Sequence, residues 1–158
     1  MDTRNTVEEL LRRIGTGDPD HTAALYAERV DWKVNWPEPT HPAVPWIRPR
    51  SSRADVVDHH RTLAANCVPG QGSVTIERIL VDGRHAVVTG ETAQTVRATG
   101  RRFNTRFALH LTVEDGLIVR HHVYEDSLVV ALACDPTPEP TPGPAAATGA
   151  ESTAGPGR

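Results

Sequence analysis

The sequence predicts an α+β fold, a curved antiparallel sheet shaped as a cone, covered by three helices and enclosing a pocket. Three observations carry this. Helical spacing of apolar residues is confined to the first part of the chain and to residues 52–63. A seven-residue run, VDWKVNW (residues 30–36), alternates apolar and polar side chains, the mark of a half-buried strand. After Pro69-Gly70, strand-like stretches are separated by Asp82-Gly83, Thr99-Gly100 and Asp115-Gly116, dipeptides that join consecutive strands as hairpins.

Taken in order, Thr6-Val7-Glu8-Glu9 has the form of a capping box. Val7, Leu10, Leu11 and Ile14 then follow at amphipathic spacing, ending at Gly15 or Gly17. Asp18-Pro19-Asp20 starts a second, short helix through Ala27. The strand VDWKVNW follows. Residues 37–50 (PEPTHPAVPWIRPR) carry five prolines around Trp46 and read as a stiff loop, a candidate lid. Ser52 caps a third helix with Asp55 three residues on, and Val56, His59, His60 and Leu63 share its inner stripe. Strands are placed near 73–81, 85–97, 101–113 and 117–125, with a brief helix from Leu128 to Ala133 closing the domain. With helices on one face, this is a layered α+β domain spanning residues 1–134.

From Asp135 the text turns to DPTPEPTPGPAAATGAESTAGPGR, with six of the 13 prolines and no aliphatic side chain larger than alanine. Such a segment cannot bury enough apolar surface to offset its ordering entropy, so residues 135–158 are expected to be a disordered tail. The net charge is −3, of which the tail holds −2, and no basic run exists. Nucleic-acid binding is disfavoured, because phosphate neutralisation needs clustered positive charge. No stretch reaches membrane-spanning length, and the charged start MDTRNTVEEL has no signal-peptide core, so a cytoplasmic protein with no membrane partner is expected. Cys67 and Cys134 lack metal spacing and read as free thiols.

Several short motifs together carry a resemblance: Gly17-Asp18 after the first helix, LYAERVDW (Leu25–Trp32), and VEDGLIV (Val113–Val119) running into YEDS (Tyr124–Ser127). In order and spacing they resemble the nuclear-transport-factor-2-like superfamily, in its branch of SnoaL-like polyketide cyclases, ketosteroid isomerases and limonene-epoxide hydrolase. The resemblance covers about residues 6–133. It implies a homodimer paired through the outer sheet face. It also implies carboxylate catalysis, yet the matching positions are Val34, Leu109 and Val123, and the isomerases' oxyanion tyrosine corresponds to Leu10 or its neighbour. The familiar catalytic groups are therefore absent, and an enzyme of this kind would use others.

The comparison also sets strand parity. With Leu109 and Val123 inward, Leu111, His121 and Glu125 are inward too, and His110, His122 and Tyr124 face out. The candidate catalytic groups are His60, His121, Glu125 and Tyr26: imidazoles for proton abstraction, a desolvated carboxyl as acid, a phenol for an enolate oxygen. Trp32, Val34, His59, Leu109, Leu111, Val123 and Trp46 are the candidate substrate wall. For each, ordinary packing is the competing reading. No metal site is expected, since adjacent histidines diverge, and His121 and Glu125 lie about 13 Å apart along one strand at about 3.3 Å per residue. The sequence thus points to a cofactor-independent cyclase, isomerase or dehydratase acting on a hydrophobic, oxygenated, polyketide-like molecule. A non-catalytic ligand-binding or dimerisation module of the same fold is the alternative.

Overall fold

A computed structural model describes residues 1–137 and Gly143; the expected tail, apart from its first residues and Gly143, lies outside the described residues. The chain is α+β. Helices α1 (Thr3–Thr16) and α2 (Pro19–Ala23) lead into β1 (Tyr26–Val34). A short β2 (Arg50–Ser52) precedes α3 (Arg53–Asn66). Strands β3 (Ser73–Asp82), β4 (His85–Thr95), β5 (Arg102–Glu114) and β6 (Leu117–Glu125) follow, and α4 (Ser127–Cys134) closes the chain.

The six strands form one sheet in the order β2-β1-β6-β5-β4-β3. Consecutive strands from β3 to β6 pair antiparallel, as the turn dipeptides predict. The expectation of a wholly antiparallel sheet is corrected at one seam, because β1 runs parallel to β6, with Trp32 beside His121 and Val34 beside Val123. Hairpin turns fix direction only between neighbours in sequence, and β1 and β6 are separated by most of the chain. Strand β2 has no signature in the sequence, because three residues at the end of a proline-rich loop carry no periodicity.

Local chemistry explains the helix ends. Asp2, not Thr6, caps α1, its carboxylate accepting from the Asn5 backbone N–H at 2.8 Å. Thr6 is fully buried in the first turns and returns its hydroxyl to the Asp2 carbonyl. Gly17 ends α1 at φ 72°, a left-handed cap that a side chain would resist. The second helix stops at Ala23, four residues earlier than its capping signals suggest, because Tyr26 and Ala27 already belong to β1. The Ser52–Asp55 capping box of α3 and the Asp126 cap of α4 form as read.

Two apolar clusters result. The first fills the cone between α1, α3 and the sheet, with Val7, Leu10, Tyr26, Trp32, Val56, Leu109 and Leu111. The second forms a plug between the proline-rich loop, β5 and α4, with Val44, Trp46, Ile47, Phe103 and Val130. The loop expected to be a lid is therefore anchored: Trp46 is only 5% exposed and belongs to that plug.

Candidate active site

The interior of the cone holds a compact group of polar rings. Strand parity places His121 inward on β6, where it is 5% exposed. Its ring lies flat on Trp32, centroids 4.0 Å apart and planes 8° apart. The Tyr26 hydroxyl meets His121 Nδ1 at 2.8 Å. Burial holds the Tyr26 phenol far above its ordinary range, so it stays protonated. Burial also pushes His121 well below the ordinary imidazole value, with help from His60 and His122, so it stays neutral. We assign the phenol as donor to Nδ1, leaving the His121 proton on Nε2.

Helix α3 lays two more imidazoles over this layer. His59 packs on Trp32 at 4.8 Å and on His60 at 5.4 Å. Burial is the main cause lowering both; for His60 the result is a value of about 4, with the Arg50 charge adding to the shift. Neither His59 Nδ1 nor His60 Nε2 has a hydrogen-bond partner, although both atoms are shielded from solvent.

Arg50 completes the group, and sequence reasoning missed it. It is the cross-strand partner of Trp32, so both side chains share the inner face. Its side chain is 1% exposed. Nη2 lies 3.0 Å from Asp58 Oδ2 as an ion pair, but none of its three nitrogens makes a hydrogen bond. In the sequence Arg50 is only the last residue of the proline-rich loop, with no periodicity around it to announce a strand.

A cavity of about 690 Å³ opens beside this layer, walled by α1, α2 and α3, the segment after α3, and the start of β3. Leu11, Ile14, Leu63, Val74 and Ile76 make it largely apolar, and Gln94 and His60 contribute polar groups. Of the candidate residues, only His60 lines it. Tyr26, Trp32, Leu109, Leu111 and His121 are buried in the core beneath, and Trp46 in the plug. His59 is half-buried against Trp32. Val34 and Val123 are partly buried, packed against the plug and the main core respectively. Glu125 is held apart, accepting from Trp36 Nε1 at 2.8 Å, and burial raises its carboxyl above the ordinary value. The structure thus unites Tyr26, Trp32, His59, His60 and His121 and leaves Glu125 elsewhere, while Trp46 packs its side chain in the plug and meets the group through its backbone at His59.

Among the described residues no three His, Cys, Asp or Glu side chains are placed to hold a metal ion. No described helix is long and apolar enough to cross a membrane. A family model for the SnoaL-like domain matches residues 7–121, well over half of the chain. The chain belongs to the SnoaL-like family. Solved structures agree on the fold of this SnoaL-like protein. An NTF2-like protein from Burkholderia thailandensis superposes with a TM-score of 0.74 at 22% identity, covering 86% of this chain and 99% of that one. A candidate isomerase from Bacillus subtilis gives 0.67 at 19%, covering 87% and 98%. An LEH-like epoxide hydrolase from M. tuberculosis gives 0.60 at 19%, covering 82% and 86%. At these identities the likeness is one of fold. No curated protein matches the sequence.

Proposed function

We propose that this SnoaL-like protein is a cofactor-independent isomerase-type enzyme. It would move a proton next to a carbonyl on a hydrophobic, oxygenated molecule, with polyketide-like compounds the favoured class. The observation that carries the reading is His60: an imidazole kept neutral by burial, on the wall of an apolar cavity large enough for a small molecule. His60 takes a proton from the carbon beside the carbonyl, the C–H electron pair becoming the enolate. The resulting imidazolium returns the same proton to another carbon, so no external acid is required. The Trp32–His121–Tyr26 stack beneath holds the layer on which His59 and His60 rest. Similar folds described as an epoxide hydrolase and a candidate isomerase make small-molecule chemistry a reasonable prior, but they assign no residue.

The test needs no knowledge of the product. Bound ketones in deuterated buffer should exchange their α-protons faster with the native protein than without it, as followed by NMR. His60→Gln should slow that exchange by about 10² or more. If the folded variant exchanged as fast as the native protein, the proposal would fail.

One observation favours a second reading. Tyr26, Trp32 and Trp46 are all buried and fill the cone that was expected to be hollow. A non-catalytic ligand-binding or dimerisation module is consistent with that filling. On this reading ketones bind, but the native protein speeds no exchange.

A further inference from the structure

The polar layer behind His60 is unbalanced in a specific way. Trp32 Nε1, the three Arg50 guanidinium nitrogens, His59 Nδ1 and His60 Nε2 are all buried without hydrogen-bond partners. Four of these six atoms, on Trp32 and Arg50, can only donate. Buried donors left unpaired are costly, and native proteins seldom leave several together. Charge is unbalanced in the same sense. Arg48 and Arg50 both reach the single Asp58 carboxylate, which is itself half exposed, so one positive charge remains on the buried side. The neighbouring Asp55 is engaged by Ser51 and Ser52 in the helix cap. The missing partner is therefore an acceptor, and an anionic one.

We infer that the cavity binds a hydrophobic molecule carrying a carboxylate, whose acidic end passes His60 and is received by Arg50 and the Trp32 indole. His60 is the threshold, since it lines the cavity while its Nε2, shielded from it, belongs to the unpartnered set. The apolar wall from Leu11, Ile14, Val74 and Ile76 takes the rest of the molecule. Guanidinium is suited to this role, because its planar fork matches a carboxylate and it keeps its charge when buried. The inference rests on the small-molecule reading of this cavity and holds whether or not the ligand is turned over.

The probes are 2-naphthoate and 2-naphthamide, which share their apolar body and differ in charge. Calorimetric titration of the full chain should show the carboxylate binding at least about 10-fold more tightly, and Arg50→Met should abolish that preference while keeping amide binding. Because a substitution at a buried arginine can disturb folding, the native protein provides a second readout. Its Trp32 indole and Arg50 guanidinium N–H resonances should shift with naphthoate and stay in place with naphthamide. Equal affinities, failure of both probes to bind, or a preference that leaves these resonances unmoved would each overturn the inference. The α-proton exchange of the native protein and of His60→Gln is read separately. Lost exchange with an intact carboxylate preference sinks the catalytic reading alone, and the converse sinks only this one.

Discussion

His60 has a depressed pKa, and the depression sets a measurable limit on any chemistry it performs. An ordinary imidazole base loses activity as pH falls through about 6.5. Burial and the Arg50 charge lower His60 to about 4. A base works in its unprotonated form, so the rate should rise with pH through about 4 and stay flat from pH 5.5 to 7.5. The acid limb of kcat/KM reports the free enzyme, which makes it the quantity to measure. A limb near 6.5 would mean that a solvent-exposed histidine, not His60, is the base. The same low basicity weakens His60 as a proton acceptor, and an anionic ligand next to it would raise its pKa on binding. The limb of kcat, which reports the complex, should therefore lie above that of kcat/KM. Tyr26 does not take part directly, since its hydroxyl is engaged by His121 and fully buried.

At the scale of elements, the cavity lies where the start of β3 meets α1, α2 and α3. The register between β3 and β4 shifts at Ile76/Arg78, a bulge that turns Val74 and Ile76 toward the cavity while Ile79 and Val81 pack on the core. Gly90 sits opposite that bulge. A Cβ built there would lie 2.2 Å from the Thr75 carbonyl oxygen and 3.1 Å from the Phe107 ring. Backbone cannot yield as a flexible side chain does, so Gly90→Ala should destabilise the fold by about 2 kcal/mol or more. Urea unfolding checks this, and a variant within about 0.5 kcal/mol of native would show that the bulge relaxes freely. Most of this element structure was legible. Strand-like stretches between Asp-Gly and Thr-Gly turns locate β3 to β6 within a few residues, and parity along β6 turns His121 inward and Tyr124 outward, as their burial shows. What was not legible depends on long-range pairing. Arg50 reaches the site through three residues of β2, whose pairing to Trp32 no local pattern announces. Local patterns also say nothing of free volume. The inward residues Leu109, Leu111 and His121 proved to be packed core, and the space opened instead where Leu11, Ile14 and Gly72 meet β3.

For the whole molecule, three neutral histidines, His121 buried and His59 and His60 partly so, make stability depend on pH in a window that begins higher than that of the carboxylates. His59, His60 and His121 all have folded values below the ordinary 6.5, each chiefly because burial disfavours the charged ring. The unfolded chain regains the ordinary value, so below pH 6.5 it binds protons that the folded chain refuses. Stability then rises with pH. Their neutral packing is fully tolerated above pH 6.5 and penalised increasingly as pH falls toward 4. For His60 alone the penalty reaches about 2 kcal/mol at pH 5, taking 1.36 kcal/mol per unit. Glu125 acts in the opposite sense, because its raised carboxyl favours the folded state as pH falls, and it offsets part of the histidine effect from about 4.5 upward. Glu9, lowered to about 2 by Arg12 and Arg13, responds only below the same range. Three histidines against one carboxyl make the histidines the principal term between pH 6.5 and 5.5. Urea midpoints should hold from pH 7.5 to about 6.5 and fall from there to 5.5, and His60→Gln, which removes one titrating ring while keeping a polar side chain, should reduce the fall. A native protein equally stable at both ends would show that water already reaches the layer of Trp32, His59 and His121. In that case the same water, and not a ligand carboxylate, would satisfy the donors of Arg50.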